Sequence, residues 1–367
     1  MLFRSVPSME SPAEEDLDSE YIDALIASMS TEDLVAQLFF IRATSDSGQH
    51  FTEASKEVTR LAETRKPGGF VLFGPNITTS TNTLSLTASL GGSSEIAPFI
   101  AIDEEGGTVS RLYSAGLPGY GKPPSAAEIG GSGDLMFAFD SGKKIGDALS
   151  ALGINVDFAP VCDIAPVSGS SFIGSRAFGN DPMFVSDMAA EFSRGLEEGG
   201  VLSCAKHFPG HGRAVGDTHL DLVSLNLSRD ELVKSELLPF IRLIDEGASF
   251  IMVGHIVCPL VDDSGLPASL SPVLITDILR RQLGYDGLVI SDSLGMGAIS
   301  ENFSSGKAAV MSLKAGNDML LLPQNFNAAF EGVMAAIQNG EITLERVEES
   351  VRRILEVKLR AGIISRT

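Results

Sequence analysis

Eight short apolar segments recur along the chain, each followed by a polar or glycine-rich break and a longer segment of helical periodicity. The apolar segments begin at Gln37, Gly69, Phe99, Val156, Leu202, Phe250, Leu288 and Asp318. Strands that alternate with helices form parallel sheets, because each helix carries the chain back to the start of the next strand. The count of eight favours a closed (β/α)8 barrel over an open doubly wound sheet.

The domain organisation is predicted from the same alternation. A length of 367 residues fits one or two domains, but barrels of this type commonly run this long as one unit. Residues 1–20 are acidic and lack an apolar period, which predicts a flexible N-terminal extension. Residues 21–367 are predicted to form a single barrel domain. Within it, the helical segment 228–247 begins with the spacing of a capping box and ends at a glycine.

Composition restricts the partners that the chain is expected to have. The formal net charge of -21 repels nucleic-acid phosphates and anionic membrane surfaces, so neither is expected as a partner. No segment approaches the roughly 20 apolar residues of a membrane span, and the N-terminus lacks the apolar core of a signal peptide. Cys162, Cys204 and Cys258 lie in apolar runs, which predicts buried, reduced thiols. We therefore expect a cytoplasmic monomer.

Polar residues end five of the eight apolar segments. They are Asp103, Asp163, Lys206 with His207, His255, and Asp292. In a barrel the carboxyl ends of the strands share one face, and the loops on that face build the active site. The pattern predicts an enzyme whose site lies at this face.

The segment "KHFPGHGRAVGDTH", residues 206–219, contains three of the five histidines of the chain. His207, His211 and His219 could supply three nitrogen ligands to a metal ion. The proline and glycines between them exclude a helical pair of ligands, and no glutamate stands where the zinc proteases carry one. We expect neither a metal nor another cofactor, and a metal-dependent hydrolase stays an alternative.

Asp217 and His219 are separated by one residue, so in an extended loop their side chains point to the same side. A carboxylate beside an imidazole fixes its tautomer and raises its basicity, which makes a proton-transfer pair near neutral pH. Asp292 is the carboxylate best placed for nucleophilic attack, because a strand end holds it and the glycines after it leave room for a ligand. The alternatives are polar loop residues that satisfy one another and, for Asp292, an ordinary helix cap.

Four motifs resemble those of family 3 glycoside hydrolases, specifically the β-N-acetylglucosaminidases of cell-wall recycling. They are "KHFPGHGRAVGDTH", "AIDEEGGTVSRL", "IGSRAFGND" and "VISDSLGM", and the similarity runs from about residue 34 to Pro323. The resemblance implies a (β/α)8 barrel, with Asp292 as the nucleophile of a retaining mechanism and Asp217 with His219 as its acid/base dyad. It also implies that His211 supports its loop, and that the terminal sugar is bound by Asp103, Arg111, Arg176, Lys206 and His207.

Three motifs depart from the usual family pattern. In "DEEGGTV", Glu104 replaces a glutamine and is expected to add a negative charge, while Thr108 replaces an arginine. Thr218 stands where the dyad members usually flank a serine, and it keeps the hydroxyl. "SDSLGM" keeps the nucleophile position and loses a second aspartate.

These observations predict an exo-acting hydrolase that removes terminal β-linked N-acetylglucosamine from muropeptide fragments. The substrate would be an oligosaccharide or small glycan that contains N-acetylglucosamine. Alternatives within the family are phosphorolysis and a β-glucosidase, although relatives that act on glucose usually take their acid/base group from a further domain. An alternative of another class is a sugar-binding barrel without turnover.

Overall fold

The computed structural model describes residues 12–92, 96–166, 173–214 and 223–366. Eight parallel strands form one sheet: β1 (Phe39–Arg42), β2 (Gly69–Val71), β3 (Phe99–Ile102), β4 (Val156–Asp157), β5 (Leu202–Phe208), β6 (Phe250–Val253), β7 (Leu288–Ser291) and β8 (Leu320–Leu321). Neighbours in the chain are neighbours in the sheet, and β1 pairs with both β2 and β8. A parallel bridge between Ile290 and Met319 joins β7 to β8 and closes the ring. The predicted (β/α)8 barrel is confirmed.

Helices α1 and α2 precede the first strand, and the other helices lie between successive strands or after the last one. They are α1 (Pro12–Ser28), α2 (Thr31–Gln37), α3 (Lys56–Arg65), α4 (Ser80–Gly91), α5 (Arg111–Ser114), α6 (Ala126–Ser132), α7 (Leu135–Ser150), α8 (Pro182–Glu198), α9 (Arg229–Lys234), α10 (Leu238–Asp245), α11 (Gly297–Ser300), α12 (Ser305–Ala315), α13 (Phe326–Gln338) and α14 (Leu344–Arg360). A π-helical segment, Val273–Gln282, connects β6 to β7, and short 3-10 turns span Gly74–Asn76, Gly174–Arg176 and Ala268–Leu270.

Two pairs of short strands lie outside the barrel sheet. Glu104–Gly106 pairs antiparallel with Val109–Ser110 directly after β3, and Val223–Ser224 pairs in parallel with Ile256–Val257 after β6. Both pairs lie in loops that leave the carboxyl ends of barrel strands. They therefore stiffen the face on which the sequence predicts the site.

Aromatic side chains fill the middle of the barrel. The Phe40 ring lies 5.9 Å from that of Phe99 and 5.8 Å from that of Phe158, and the rings of Phe99 and Phe250 are 5.1 Å apart. All four side chains are buried. Because this cluster closes the interior, a ligand can enter only above it, at the ends of the strands.

Segment 228–247 forms two helices, α9 and α10. Ser228 and Glu231 make the predicted capping box, and Gly247 follows the end of α10 with φ of +84°. The break comes at Ser235, whose backbone leaves the helical region, just before Pro239 in the first turn of α10. Proline has no N–H to donate to the preceding turn, so an unbroken helix is disfavoured at this position.

Helix α1 begins at Pro12, so the expected boundary after residue 20 falls inside a helix. Ile22 anchors it in the core with 2% exposure, and the Tyr21 hydroxyl donates to the Ser365 carbonyl over 3.1 Å. Asp23 pairs with Arg352 on α14. Too few apolar residues mark this segment for its helical period to be visible in the sequence.

The three cysteines are buried, as the sequence predicts. Cys162, Cys204 and Cys258 are all free thiols. Among the helices of the described residues, none has the length and apolar character needed to cross a membrane.

Candidate active site

A pocket of about 690 Å³ opens at the carboxyl ends of the barrel strands, and its lining includes residues in or directly after each of the eight strands. Six of the eight predicted site residues line it: Asp103, Arg111, Arg176, Lys206, His207 and Asp292. The other two, Asp217 and His219, lie outside the described residues. Residues that are up to 189 positions apart in the chain (292 minus 103) therefore meet in one cavity.

Lys206 is the centre of a charged group that we call the Lys206 cluster, made of Asp103, Glu105, Arg111, Arg176 and Lys206. The Lys206 side chain is only 2% exposed, and its Nζ lies 2.8 Å from Asp103 Oδ1 and 2.5 Å from Glu105 Oε1. Arg111 approaches the other oxygen of Asp103 at 3.4 Å. The ammonium is thus held between two carboxylates with little freedom to move.

Arg176 completes the cluster from the 3-10 turn before α8. Its Nε and Nη2 donate to the two oxygens of Glu105 over 2.7 and 2.9 Å, which is the bidentate geometry of a strong guanidinium–carboxylate pair. Nη2 also lies 3.5 Å from His207 Nε2. The loop after β3 and the 3-10 turn before α8 are therefore joined at one wall of the pocket.

The cluster keeps its carboxylates ionised. Burial opposes the charge of Glu105, but Lys206 and Arg176 outweigh it and lower the pKa of Glu105 to about 2. Burial likewise opposes the charge of Asp103, and Lys206 and Arg111 hold its pKa below the ordinary value. Both side chains are acceptors at neutral pH, and the cations around them are donors.

Asp163 fixes the orientation of the His207 imidazole. Its Oδ2 lies 2.7 Å from His207 Nδ1, and its Oδ1 accepts from the backbone N–H of His211 over 2.6 Å. Despite burial, His207 keeps the pKa of Asp163 below its ordinary value. The carboxylate therefore fixes the imidazole so that Nε2 points toward Arg176 and the pocket.

Asp292 follows β7 on another wall of the pocket. Its backbone N–H donates to the Val253 carbonyl over 2.8 Å, and its Oδ1 accepts from the Ser293 N–H over 2.7 Å. Burial alone raises the pKa of Asp292, but its interactions with His255 and His207 bring that pKa below the ordinary value. An ionised carboxylate with one oxygen anchored and the other available is suited to nucleophilic attack.

His255 supports this arrangement from β6. It is fully buried, its Nε2 donates to the Ser293 carbonyl over 2.9 Å, and its Nδ1 lies 2.7 Å from the Ser269 hydroxyl. The contact to Ser293 fixes the backbone next to Asp292. His255 is thus a positioning residue for the carboxylate.

Glu105, Asp163 and His255 have roles in this geometry that the sequence analysis did not assign. Asp163 and His255 were visible as polar ends of apolar segments, and Glu105 lies inside a recognised motif. What the sequence could not give was the partner of each, because every partner lies on a different strand or loop.

Glu104 does not add its expected negative charge to the pocket. Its carboxyl is fully buried and accepts from Ser110 Oγ, from the Leu112 N–H over 3.0 Å and from the Tyr120 hydroxyl over 3.3 Å. Burial raises its pKa, which favours the neutral acid. Glu104 therefore ties together the loop that carries Glu105 and Arg111.

His211 lines the pocket as well as belonging to the loop after β5. Burial lowers its pKa, so the neutral imidazole is favoured. Among the described residues, no group of three or more histidines, cysteines or acidic side chains has the arrangement of a metal site.

Comparison with known proteins identifies the family. The model of the glycosyl hydrolase family 3 N-terminal domain matches residues 30–357. Beta-hexosaminidase LpqI of Mycobacterium tuberculosis is 36% identical over 298 residues, which are 79% of this chain and 75% of that protein. Beta-hexosaminidase A of Pseudoalteromonas piscicida is 32% identical over 343 residues, 86% of this chain and 57% of that protein.

A solved structure agrees with these matches. The family 3 β-N-acetylglucosaminidase of Paenibacillus sp. superposes with a TM-score of 0.85 at 34% identity, over 93% of this chain and 64% of that one. The chain thus spans less than two thirds of two of these three proteins. The family model, the sequence relatives and the solved structure all indicate the same family. The chain belongs to glycosyl hydrolase family 3 and is a glycoside hydrolase.

Proposed function

We propose that the protein is an exo-acting, retaining β-N-acetylglucosaminidase that removes terminal β-linked N-acetylglucosamine. The observation that carries this proposal is the presence of ionised Asp292 and of the Lys206 cluster in one pocket, closed below by the aromatic core. The cluster provides a fixed set of donors and acceptors for the hydroxyls of one sugar. Asp292 provides the nucleophile beside it.

The Lys206 cluster suits sugar hydroxyls because each hydroxyl both donates and accepts. Asp103 and Glu105 accept, while Lys206, Arg111 and Arg176 donate, and all are held in place by one another before substrate arrives. Hydrogen bonds to charged groups contribute about 1.5–3 kcal/mol each. A prearranged cluster of this kind positions the anomeric carbon for attack.

In the proposed reaction an oxygen of Asp292 attacks the anomeric carbon while the bond to the leaving oxygen breaks and that oxygen takes a proton. A covalent glycosyl-enzyme forms, and water, after losing a proton to a base, releases the sugar with retained configuration. Asp292 must be ionised for the first step. Its lowered pKa meets that requirement at neutral pH.

The proton must come from a group other than the described carboxyls of the pocket. Asp103, Glu105 and Asp292 all have pKa values below their ordinary ones, so each is ionised at neutral pH and has no proton to give. The lack of a protonated carboxyl among these described side chains supports the proposal that His219, oriented by Asp217, serves as acid and then as base. A histidine has a suitable pKa near neutrality without further tuning.

The substrate is proposed from the relatives. The Paenibacillus protein is described as a β-N-acetylglucosaminidase, and the sequence relatives are named beta-hexosaminidases. Muropeptide fragments of peptidoglycan are the proposed natural source of the terminal sugar. Phosphorolysis is the alternative outcome at the second step, and product analysis with and without inorganic phosphate distinguishes it from hydrolysis.

The function is tested with paired 4-nitrophenyl β-glycosides of N-acetylglucosamine and glucose, followed by trapping of the intermediate. We expect a clear preference for the N-acetylglucosaminide. A fluorinated substrate that forms the intermediate faster than it releases it should label Asp292, and Asp292→Asn should abolish the label. Asp286→Asn is the matched control, because Asp286 is exposed and precedes β7 at its other end. A label on a different residue, or no turnover, would contradict the proposal.

The dyad is tested by His219→Ala. Loss of the acid should slow cleavage of a natural disaccharide by a factor on the order of 10² to 10⁴, and cleavage of the nitrophenyl glycoside much less, because a good phenolate departs without a proton. The glycosyl-enzyme should then accumulate, and azide, which needs no deprotonation, should restore turnover. Equal slowing of both substrates without rescue by azide would assign His219 to binding or structure.

A further inference from the structure

We infer that Arg42, at the end of β1, binds a carboxylate on the leaving-group side of the substrate and so determines which glycosides are preferred. The inference rests on the proposed function, because it assigns the part of the substrate beyond the terminal sugar. A second cavity lies next to the pocket, and Arg42 lies between the two.

The second cavity, which we call the side cleft, has a volume of about 350 Å³ and lies at the ends of β1 and β8. Arg42 and Leu322 line both the side cleft and the pocket, so the two cavities adjoin at these residues. The Lys206 cluster is built on β3, β5 and the loops that follow β3 and β4. A substrate whose terminal sugar is held there can extend across Arg42 into the side cleft.

Arg42 differs from the other cations of the pocket in its partners. Lys206, Arg111 and Arg176 are each paired with a carboxylate. Over the part of the chain that the structure describes, the Arg42 guanidinium makes neither an ion pair nor a hydrogen bond, and its one recorded contact is with the Phe73 ring, 4.7 Å from the ring centroid. Stacking on an aromatic face holds the guanidinium in place and leaves its N–H groups free to bind an anion.

The surroundings favour Arg42 over the other arginine of the side cleft. Arg65 also lines the cleft, but it donates to Asn327 Oδ1 over 2.5 Å, and its Nη2 lies 4.0 Å from the exposed Asp46. Asp46 lines the same cleft, but among the described residues no carboxylate lies within ion-pair distance of Arg42. A guanidinium with free, coplanar donors matches the two oxygens of a carboxylate, and in a protein of net charge -21 such a cation stands out against its surroundings.

The test compares two disaccharides with the same terminal β-linked N-acetylglucosamine. In one, the second sugar carries a carboxymethyl ether, and in the other the methyl ester of the same group. We expect the wild-type protein to prefer the acid. Arg42→Gln should reduce the acid-to-ester ratio of kcat/KM by about 10- to 100-fold, since a charge-assisted hydrogen bond is lost. Arg42→Lys, which keeps the charge and loses the fork, should give an intermediate ratio.

Arg281→Gln is the matched control, because it removes one exposed arginine from the outer π-helical segment at 74% exposure. It should leave the acid-to-ester ratio at the wild-type value. An unchanged ratio in Arg42→Gln, with both substrates turned over, would overturn the inference and leave the proposed function intact. Cleavage of neither substrate by the wild type would overturn the proposed function and the inference with it.

Discussion

At the scale of single residues, two buried carboxyl groups lie next to the Lys206 cluster, those of Asp157 and Glu104. Asp157 on β4 is fully buried, its Oδ1 accepts from the Glu104 N–H over 2.9 Å, and its Oδ2 has no hydrogen-bond partner among the described residues. Burial raises the pKa of Asp157 well above its ordinary value, and repulsion from Glu104 whenever that carboxyl is ionised adds to the shift, although Lys206 opposes it. The folded protein therefore holds a proton there that the unfolded chain releases.

This proton makes stability depend on pH in a defined direction. Because the pKa of Asp157 is raised in the folded state, its contribution to stability is fully present below about pH 3.8 and is lost as pH rises. Glu105 acts with the opposite sign: its lowered pKa contributes stability that is lost as pH falls from about 4.5 toward 2. Above pH 5 the raised pKa values of Asp157 and Glu104 therefore contribute a loss of stability as pH rises.

Asp157→Asn should flatten this slope, since the amide keeps an acceptor for the Glu104 N–H and carries no ionisable proton. The unfolding free energy of the variant, relative to the wild type, should increase with pH by up to about 1.4 kcal/mol per unit between pH 5 and 7. Urea unfolding at three pH values measures it, with exposed Asp286→Asn as control. A difference that stays constant with pH would show that Asp157 is already ionised.

The position of a residue at the pocket was predictable where a strand end marked it, and its partners were not predictable. Asp103, Lys206 and Asp292 end apolar segments, and all three reach the pocket. Glu104 and Glu105 are adjacent in the chain, and nothing in their spacing indicates that one enters the pocket while the other turns into its own loop. That choice is made by Ser110 and Tyr120, which bind Glu104, and by Arg176, which binds Glu105.

At the scale of elements, the loop after β3 depends on a close approach of two backbones. Gly106 has φ of +88°, and a Cβ at this position would lie 2.2 Å from the Pro124 carbonyl oxygen. Gly116, later in the same loop, has φ of +71°, and a Cβ there would have no described atom within 4 Å. Any other residue would have a strained backbone at either position. Only at Gly106 would its Cβ also collide with a neighbouring atom.

Gly106→Ala should therefore displace the strand Glu104–Gly106, and Glu105 with it. Since misplacement by about 1 Å can cost on the order of 10²-fold in rate, we expect kcat/KM to fall roughly 10- to 100-fold. Gly116→Ala should carry a comparable backbone penalty and leave kcat/KM within about threefold, since no clash follows. Steady-state kinetics and thermal unfolding of both variants measure this. Equal losses in the two would mean that conformational strain, rather than contact with Pro124, governs the loop.

Element types were predictable from the sequence, and their limits were not. The apolar run at Val156 contains a paired strand of only two residues, Val156–Asp157, and pairing with β5 resumes in a single bridge from Val161 to Lys206. Pro160 lies between them and has no N–H to contribute to a ladder. The sequence indicates a strand there, and only the three-dimensional register shows how little of it is paired.

At the scale of the whole molecule, the pocket and a buried ionic network lie at opposite ends of the barrel. Asp318 precedes β8 on the side away from the pocket and is fully buried. It accepts from groups on three other elements: Arg280 on the π-helical segment, the Val289 N–H on β7, and Ser350 and Arg353 on α14. This carboxylate joins the last helix to the β7–β8 seam, where the strands share only a single bridge.

Asp318→Asn should destabilise the fold without changing the site. Removing one partner of a buried ion pair costs about 3–5 kcal/mol, which lowers Tm by roughly 4–7 °C for a protein of this size. We expect kcat/KM at 25 °C to stay within about twofold of the wild type, because the pocket is formed at the other ends of the strands. Asp277→Asn is the control: it breaks an exposed pair with Arg281 on the same π-helical segment, which is worth at most about 1 kcal/mol. A fall in kcat/KM that parallels the fall in Tm would mean that the β7–β8 seam transmits its disorder to Asp292, and that the two ends of the barrel are not independent.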